Sequence, residues 1–200
     1  MKADPSRSVF INCPFDNAYT PLFEGLVFTT VCCGFTPRSS LESGTMAEPR
    51  MERIIRAVFE SRYSIHDLSR NRGEGAEGLA RFNMPLELGI AMARWYMTRG
   101  SENQHDWLLM VSSGHEYHRF ISDLSGFDPA RHDGTVETLI PQVMLWLVDR
   151  PTTYSPPNSQ KVLQALPRFQ LRIRQLDEEW GGRVPWSRIL EAAQECAPKL

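Results

Sequence analysis

Apolar and polar positions along this chain switch repeatedly between a period of two and a period near 3.6. The short apolar run Ser8-Val9-Phe10-Ile11-Asn12 breaks off into Cys13-Pro14-Phe15-Asp16-Asn17, which predicts a strand followed by a loop. From Tyr19 to Cys33, Leu22, Phe23, Leu26, Val27, Thr30 and Val31 recur at helical spacing, and Gly34 ends the helix. Phe35 to Arg38 reads as a second strand, and Ser39 to Glu48 as a polar loop. Met51, Ile54, Ile55, Val58 and Phe59 form the next helical stripe, and Arg62 to His66 reads as a third strand leading into Asp67-Leu68-Ser69. Arg70 to Ala80, with Gly73, Gly75 and Gly78, is expected to be a mobile loop and a candidate lid.

The second half repeats the alternation. Met84 to Met97 predicts a helix with Pro85 in its first turn, Trp107 to Val111 a fourth strand, and His115 to Leu124 a short helix. A fifth strand is expected near Phe127 to Arg131, and Thr135 to Val148 is helical. Strand–helix alternation with crossovers of this length is the signature of an α/β fold. The expected architecture is a doubly wound, flavodoxin-like parallel sheet of four or five strands, in the order 2-1-3-4-5, over residues 1–150. Pro151 to Ser159 reads as a linker, and residues 151–200 then carry two amphipathic helices, Gln160 to Glu179 and Pro185 to Ala197. Such a tail is too short for a core of its own and is expected to pack on the first domain or on a second subunit.

Composition narrows the functional classes. A net charge of −2 and a pI near 6.2 give no basic face of the kind a nucleic-acid groove or an anionic membrane surface requires. No apolar run approaches the roughly 18 residues of a membrane span, and a cytoplasmic location is expected. Cys13, Cys32, Cys33 and Cys196 include no CxxC pair and are read as reduced thiols. The histidines lack metal-ligand spacing, and neither a Walker loop nor a GxGxxG follows the first strand. No metal and no cofactor is expected.

In open parallel sheets the ligand lies outside the carboxyl ends of the strands. Three segments converge there: Asn12 to Asn17, His66 to Ser69, and Phe82 to Gly89. Glu87 is the candidate of greatest interest. Read as a first-turn residue of its helix, it would be held as an anion by the helix dipole, fit to attack or to stabilise a carbon becoming an oxocarbenium ion. Acidic first-turn residues are also common helix caps. Asp67 follows the third strand, where it can serve either in the site or as a turn former.

Taken together, "FINCPF" (Phe10 to Phe15), "YSIHDLS" (Tyr63 to Ser69) and "PLELGIAMA" (Pro85 to Ala93) resemble the nucleoside deoxyribosyltransferase-like superfamily, whose relatives include deoxynucleotide N-hydrolases and, more distantly, Toll/interleukin-1 receptor (TIR) domains. The resemblance spans Ser8 to Val148. It implies that Glu87, followed by Leu88, Gly89 and Ala91, is the catalytic nucleophile, with Asp67 as the acidic residue near the substrate. The chain departs from that pattern at Arg81-Phe82-Asn83, where an aspartate and small residues are usual, and at Asn12 to Asn17, where the nucleotide hydrolases carry a Gly-rich loop.

The function implied is cleavage, by hydrolysis or transfer, of an N-glycosidic bond in a nucleoside, nucleotide or NAD-like molecule. Asp67 or His66 would serve the leaving base, Phe15 and Phe82 would stack on base or sugar, and Asn12, Asp16 and Asn83 would bind hydroxyls. The alternatives are a TIR-like NAD hydrolase and a non-catalytic module binding a nucleotide-derived signal. A homo-oligomer, specifically a homodimer, is the expected assembly.

Overall fold

A computed structural model describes residues 4–42, 47–70, 83–114, 117–119, 121–151 and 154–198. Five strands, β1 (Ser8–Asn12), β2 (Thr36–Ser39), β3 (Tyr63–Asp67), β4 (Asp106–Ser112) and β5 (Ala130–His132), form one sheet in the order β2-β1-β3-β4-β5. Every pairing is parallel, with Ile11 beside both Ser39 and Ile65, and Asp67 beside Met110. The helices α1 (Thr20–Cys32), α2 (Arg50–Phe59), α3 (Asn83–Thr98) and α4 (Val136–Val148) connect or follow the strands. This is the doubly wound α/β architecture, and the order change puts β1 and β3 side by side at its switch point.

The period of two decides what each strand residue touches. Val9 and Ile11 of β1, Tyr63 and Ile65 of β3, and Leu108 and Met110 of β4 join the core beneath α1 and α4. Phe10 meets Ile54, Ala57, Val58 and Ala91 of α2 and α3 on the other face, while Leu109 and Val111 pack against Met84 and Leu88. The central strands are buried on both faces, so they read as continuous apolar runs. Gly25 lets α1 and α4 approach closely, since a methyl group there would sit 3.3 Å from Val136.

The carboxyl-terminal segment forms α5 (Ser159–Trp180), which starts at an Asn158 side-chain cap on the Lys161 N–H, and α6 (Trp186–Cys196). Gly181, at φ +61°, ends α5 in the left-handed conformation that glycine adopts without strain. This pair packs on α1 and α4: Phe169 stacks on Phe28 with ring centres 5.1 Å apart, and Val162, Leu166, Trp186, Ala193 and Cys196 enter the same core. That second cover explains why α1 is apolar around its whole circumference rather than along one stripe.

Three local expectations change. Residues 115–124 do not form a helix over their described part, which instead holds two short 3₁₀ turns, Tyr117–Arg119 and Ser122–Leu124, tied by the Tyr117 hydroxyl to the carbonyls of Leu124 and Phe127. The fifth strand falls at Ala130–His132, slightly later than its apolar signal. Helix α3 begins at Asn83, so Glu87 lies in its second turn and not its first. Its own N–H is therefore within the helical ladder, and the helix dipole no longer accounts for its role. The expected lid, Arg70 to Ala80, lies outside the described residues except for Arg70. No described helix is long and apolar enough to cross a membrane.

Candidate active site

The carboxyl edge of the sheet carries two separate polar networks, and the strand alternation assigns one to each face. Asn12 and His66 end up on the α3 side. The Asn12 amide nitrogen lies 3.0 Å from His66 Nδ1 and 3.0 Å from the Met84 carbonyl. His66 Nε2 is 2.9 Å from Ser64 Oγ, which is 3.0 Å from His105 Nε2, and His105 Nδ1 is 3.0 Å from the Ser61 carbonyl. Burial drives the His66 imidazole down to about 3 and that of His105 to about 4, so both rings are neutral at physiological pH. His66 has no accessible surface and both ring nitrogens engaged, which leaves it nothing to offer a substrate.

Asp67 faces α1. The Tyr19 hydroxyl donates to Asp67 Oδ2, His132 Nε2 donates to the same oxygen at 2.9 Å, and the Ser69 N–H donates to Oδ1 at 2.8 Å. The Gly134 N–H points at His132 Nδ1 from 3.2 Å, which puts the ring proton on Nε2. Asp67, His132 and Tyr19 are all within 1% of complete burial. The three side chains bind the end of β3 to the end of β5 and to the entry of α1. This geometry makes Asp67 a stitch across the sheet edge and gives it no open face toward a ligand.

Asp16 sits at the mouth. Its Oδ1 accepts the Tyr19 N–H at 2.9 Å and pairs with Arg70 Nη1 at 2.9 Å, linking the loop after β1 to the chain after β3. Phe15, 41% exposed, meets Phe23 edge-on at 5.4 Å, and Phe23 continues to Trp186 at 6.2 Å. This aromatic row lines a cleft of about 810 Å³ between the β1–α1 loop and the α5–α6 turn. Phe15 thus packs toward the helical tail. Asn83 is exposed at the start of α3, and Phe82 lies outside the described residues.

Glu87 differs from these groups. It is 6% exposed, and no hydrogen-bond donor among the described residues reaches its carboxylate. Burial pushes it up to about 7, with the Arg50 guanidinium at the start of α2 pulling the other way. Glu87, Asp67 and Asp16 all lie within electrostatic range of the buried Cys13 thiol, which burial first and their charges next hold well above its ordinary range. Asp67 and Asp16 each accept hydrogen bonds, whereas no donor to Glu87 is found among the described residues. No group of three or more His, Cys, Asp or Glu side chains among the described residues is arranged to hold a metal ion.

Tyr19, His132, Arg70 and Arg50 escaped the sequence reading. His132 ends a strand as Asn12 and Asp67 do, and the apolar signal at Phe127 to Arg131 stops one residue short of it. Compared with known proteins, the chain matches no family model and no curated protein sequence.

Proposed function

We propose that this protein cleaves an N-glycosidic bond in a small nucleoside, nucleotide or NAD-like molecule, with Glu87 as the group that meets the anomeric carbon. The observation that carries this reading is a largely buried carboxylate, with no hydrogen-bond donor among the described residues, on the helix that follows β3 of a doubly wound sheet. An anion so poorly solvated gains most when positive charge develops beside it, as it does on the anomeric carbon while the C–N bond breaks. In its ionised form a Glu87 oxygen attacks that carbon, the bonding pair leaves with the base nitrogen, and the base takes its proton from water. Water or a second base then displaces the glycosyl group and restores the carboxylate. The motif order from Phe10 to Ala93 supports the same chemistry.

The near-neutral titration of Glu87 limits the reaction at low pH, because only the ionised form attacks. A non-catalytic module that binds a nucleotide-derived ligand is the second reading. It is favoured by the full engagement of Asp67 and His66, which leaves neither free to protonate a leaving base. Incubation with a panel of nucleosides, nucleotides and NAD, followed by chromatography for released base, separates the two. Catalysis predicts release from at least one member, and a binding module predicts saturable binding without release.

A further inference from the structure

The hydrogen-bond chain behind Asn12 has only one consistent set of proton positions. An amide NH₂ has two hydrogens and no acceptor, so Asn12 donates one to His66 Nδ1 and the other to the Met84 carbonyl. His66 Nδ1 therefore carries a lone pair, and its proton sits on Nε2 and goes to Ser64 Oγ. Ser64, having accepted that bond, donates its own hydrogen to His105 Nε2, which leaves the His105 proton on Nδ1 for the Ser61 carbonyl. Turning the Asn12 amide over would set its oxygen against the Met84 carbonyl oxygen and reverse every bond behind it, ending with a histidine that has no proton to give Ser61. The chain runs the length of β3, and its far end is fixed by a backbone carbonyl that accepts only.

What this fixed direction holds in place is the start of α3. Met84 is the second residue of that helix, three before Glu87, and the Asn12 bond ties its carbonyl to the last residue of β1. Apolar packing of Met84 and Leu88 presses the same turn onto the sheet, and the Asn12 bond adds a directional polar contact to it. We propose that Asn12 is a positioning residue for Glu87, and that the buried chain through His66, Ser64 and His105 serves to aim the Asn12 amide at the Met84 carbonyl. The positioning rests on Glu87 being the working carboxylate, but its structural half can be measured without any substrate.

The test uses full-length protein with ¹³C-labelled glutamate, in which the Glu87 carboxyl signal is identified by its loss in Glu87→Gln. Two variants are titrated against wild type: Asn12→Leu, which keeps the shape and removes both donors, and Ser64→Ala, which leaves Asn12 in place and cuts the chain behind it. In Asn12→Leu the α3 turn loosens and water reaches the carboxylate, so the Glu87 midpoint moves from near 7 toward the ordinary carboxylate range by about one pH unit or more. Ser64→Ala produces a smaller shift in the same direction. On any substrate that wild type cleaves, kcat in Asn12→Leu falls about tenfold or more while KM changes by less than about threefold. Unchanged Glu87 midpoints in the variants, accompanied only by lower melting temperatures, overturn the proposal and leave the chain a plain core network. If Asn12→Leu does not fold, an unchanged midpoint in Ser64→Ala overturns it alone. If wild type cleaves nothing, the proposed activity fails while the titration still decides the positioning.

Discussion

His66 and Asp67 are consecutive residues that serve opposite faces of the sheet: the imidazole bonds Asn12 on the α3 side, and the carboxylate bonds Tyr19 and His132 on the α1 side. One residue of register in β3 separates the two networks, because successive side chains of a strand point to opposite faces. Both networks are sealed, so neither adjacent residue presents an open ring nitrogen or carboxylate oxygen to a ligand. Among the described residues, Glu87 is the carboxylate near this edge that no hydrogen-bond donor reaches.

Asp67→Asn keeps the side chain's size but replaces one accepting oxygen with a nitrogen that accepts nothing, so either Tyr19 and His132 or the Ser69 N–H loses its acceptor. We expect a loss of about 2–4 kcal/mol in urea unfolding, the scale for breaking a buried charged network. A variant of wild-type stability and abolished turnover would instead place Asp67 in the chemistry.

Glu87→Gln should move stability and activity in opposite directions. The folded value near 7 lies above the ordinary 4.5, so the stability linked to Glu87 is fully present below pH 4.5 and is lost as pH rises through 7. At pH 8 the wild type carries the cost of a buried anion, and Glu87→Gln should be more stable by on the order of 3 kcal/mol. At pH 4 the two proteins should unfold alike. A variant less stable than wild type at pH 8 would mean that the carboxylate is a structural partner.

His66 and His105 run the other way. Their folded values, about 3 and about 4, lie below the ordinary 6.5, so the stability they contribute is present above pH 6.5 and is lost as pH falls through 4. Between pH 5 and 6 the two histidines take up protons on unfolding while Glu87 releases one. His66→Phe should therefore reduce the rise of unfolding free energy with pH in that window by about 1.4 kcal/mol per pH unit. Calorimetry across pH 5 to 7 reads this directly, and an unchanged slope would show that His66 is already accessible to protons in the folded protein.

Phe169→Ala should cost about 3–5 kcal/mol, since the ring is fully buried against Phe28. Truncation before Ser159 should expose the covered face of α1 and yield aggregated or unfolded chain. A monomeric, cooperatively folding fragment ending near residue 150 would show that the helical tail is dispensable.

Much of the fold was legible because each strand and helix is written in a local period: Val9 to Ile11 and Leu108 to Val111 as continuous apolar runs, α2 as a stripe from Met51 to Phe59. The 2-1-3-4-5 order is a common one for this architecture, which the local periods do not encode, and the sheet has it. The site was less legible because its contacts are polar and distant in the chain. Asn12 meets Met84 across 72 positions and His132 meets Asp67 across 65, and no period encodes such a pair. The segment from His115 to Leu124 misled for the converse reason: its apolar residues anchor 3₁₀ turns through the Tyr117 hydroxyl, which a helical pattern does not distinguish.

Whether Glu87 stabilises positive charge at an anomeric carbon is tested most directly by base release from wild type and Glu87→Gln, compared on the best substrate of the panel from pH 5 to 9. Wild-type turnover should rise with pH through about 7, following ionisation of the carboxyl group. Glu87→Gln should lose that rise and turn over a hundredfold or more slowly at pH 8, the loss of roughly 2.7 kcal/mol or more of transition-state stabilisation, while remaining folded. Equal rates in the two proteins would remove Glu87 from the mechanism and contradict the account.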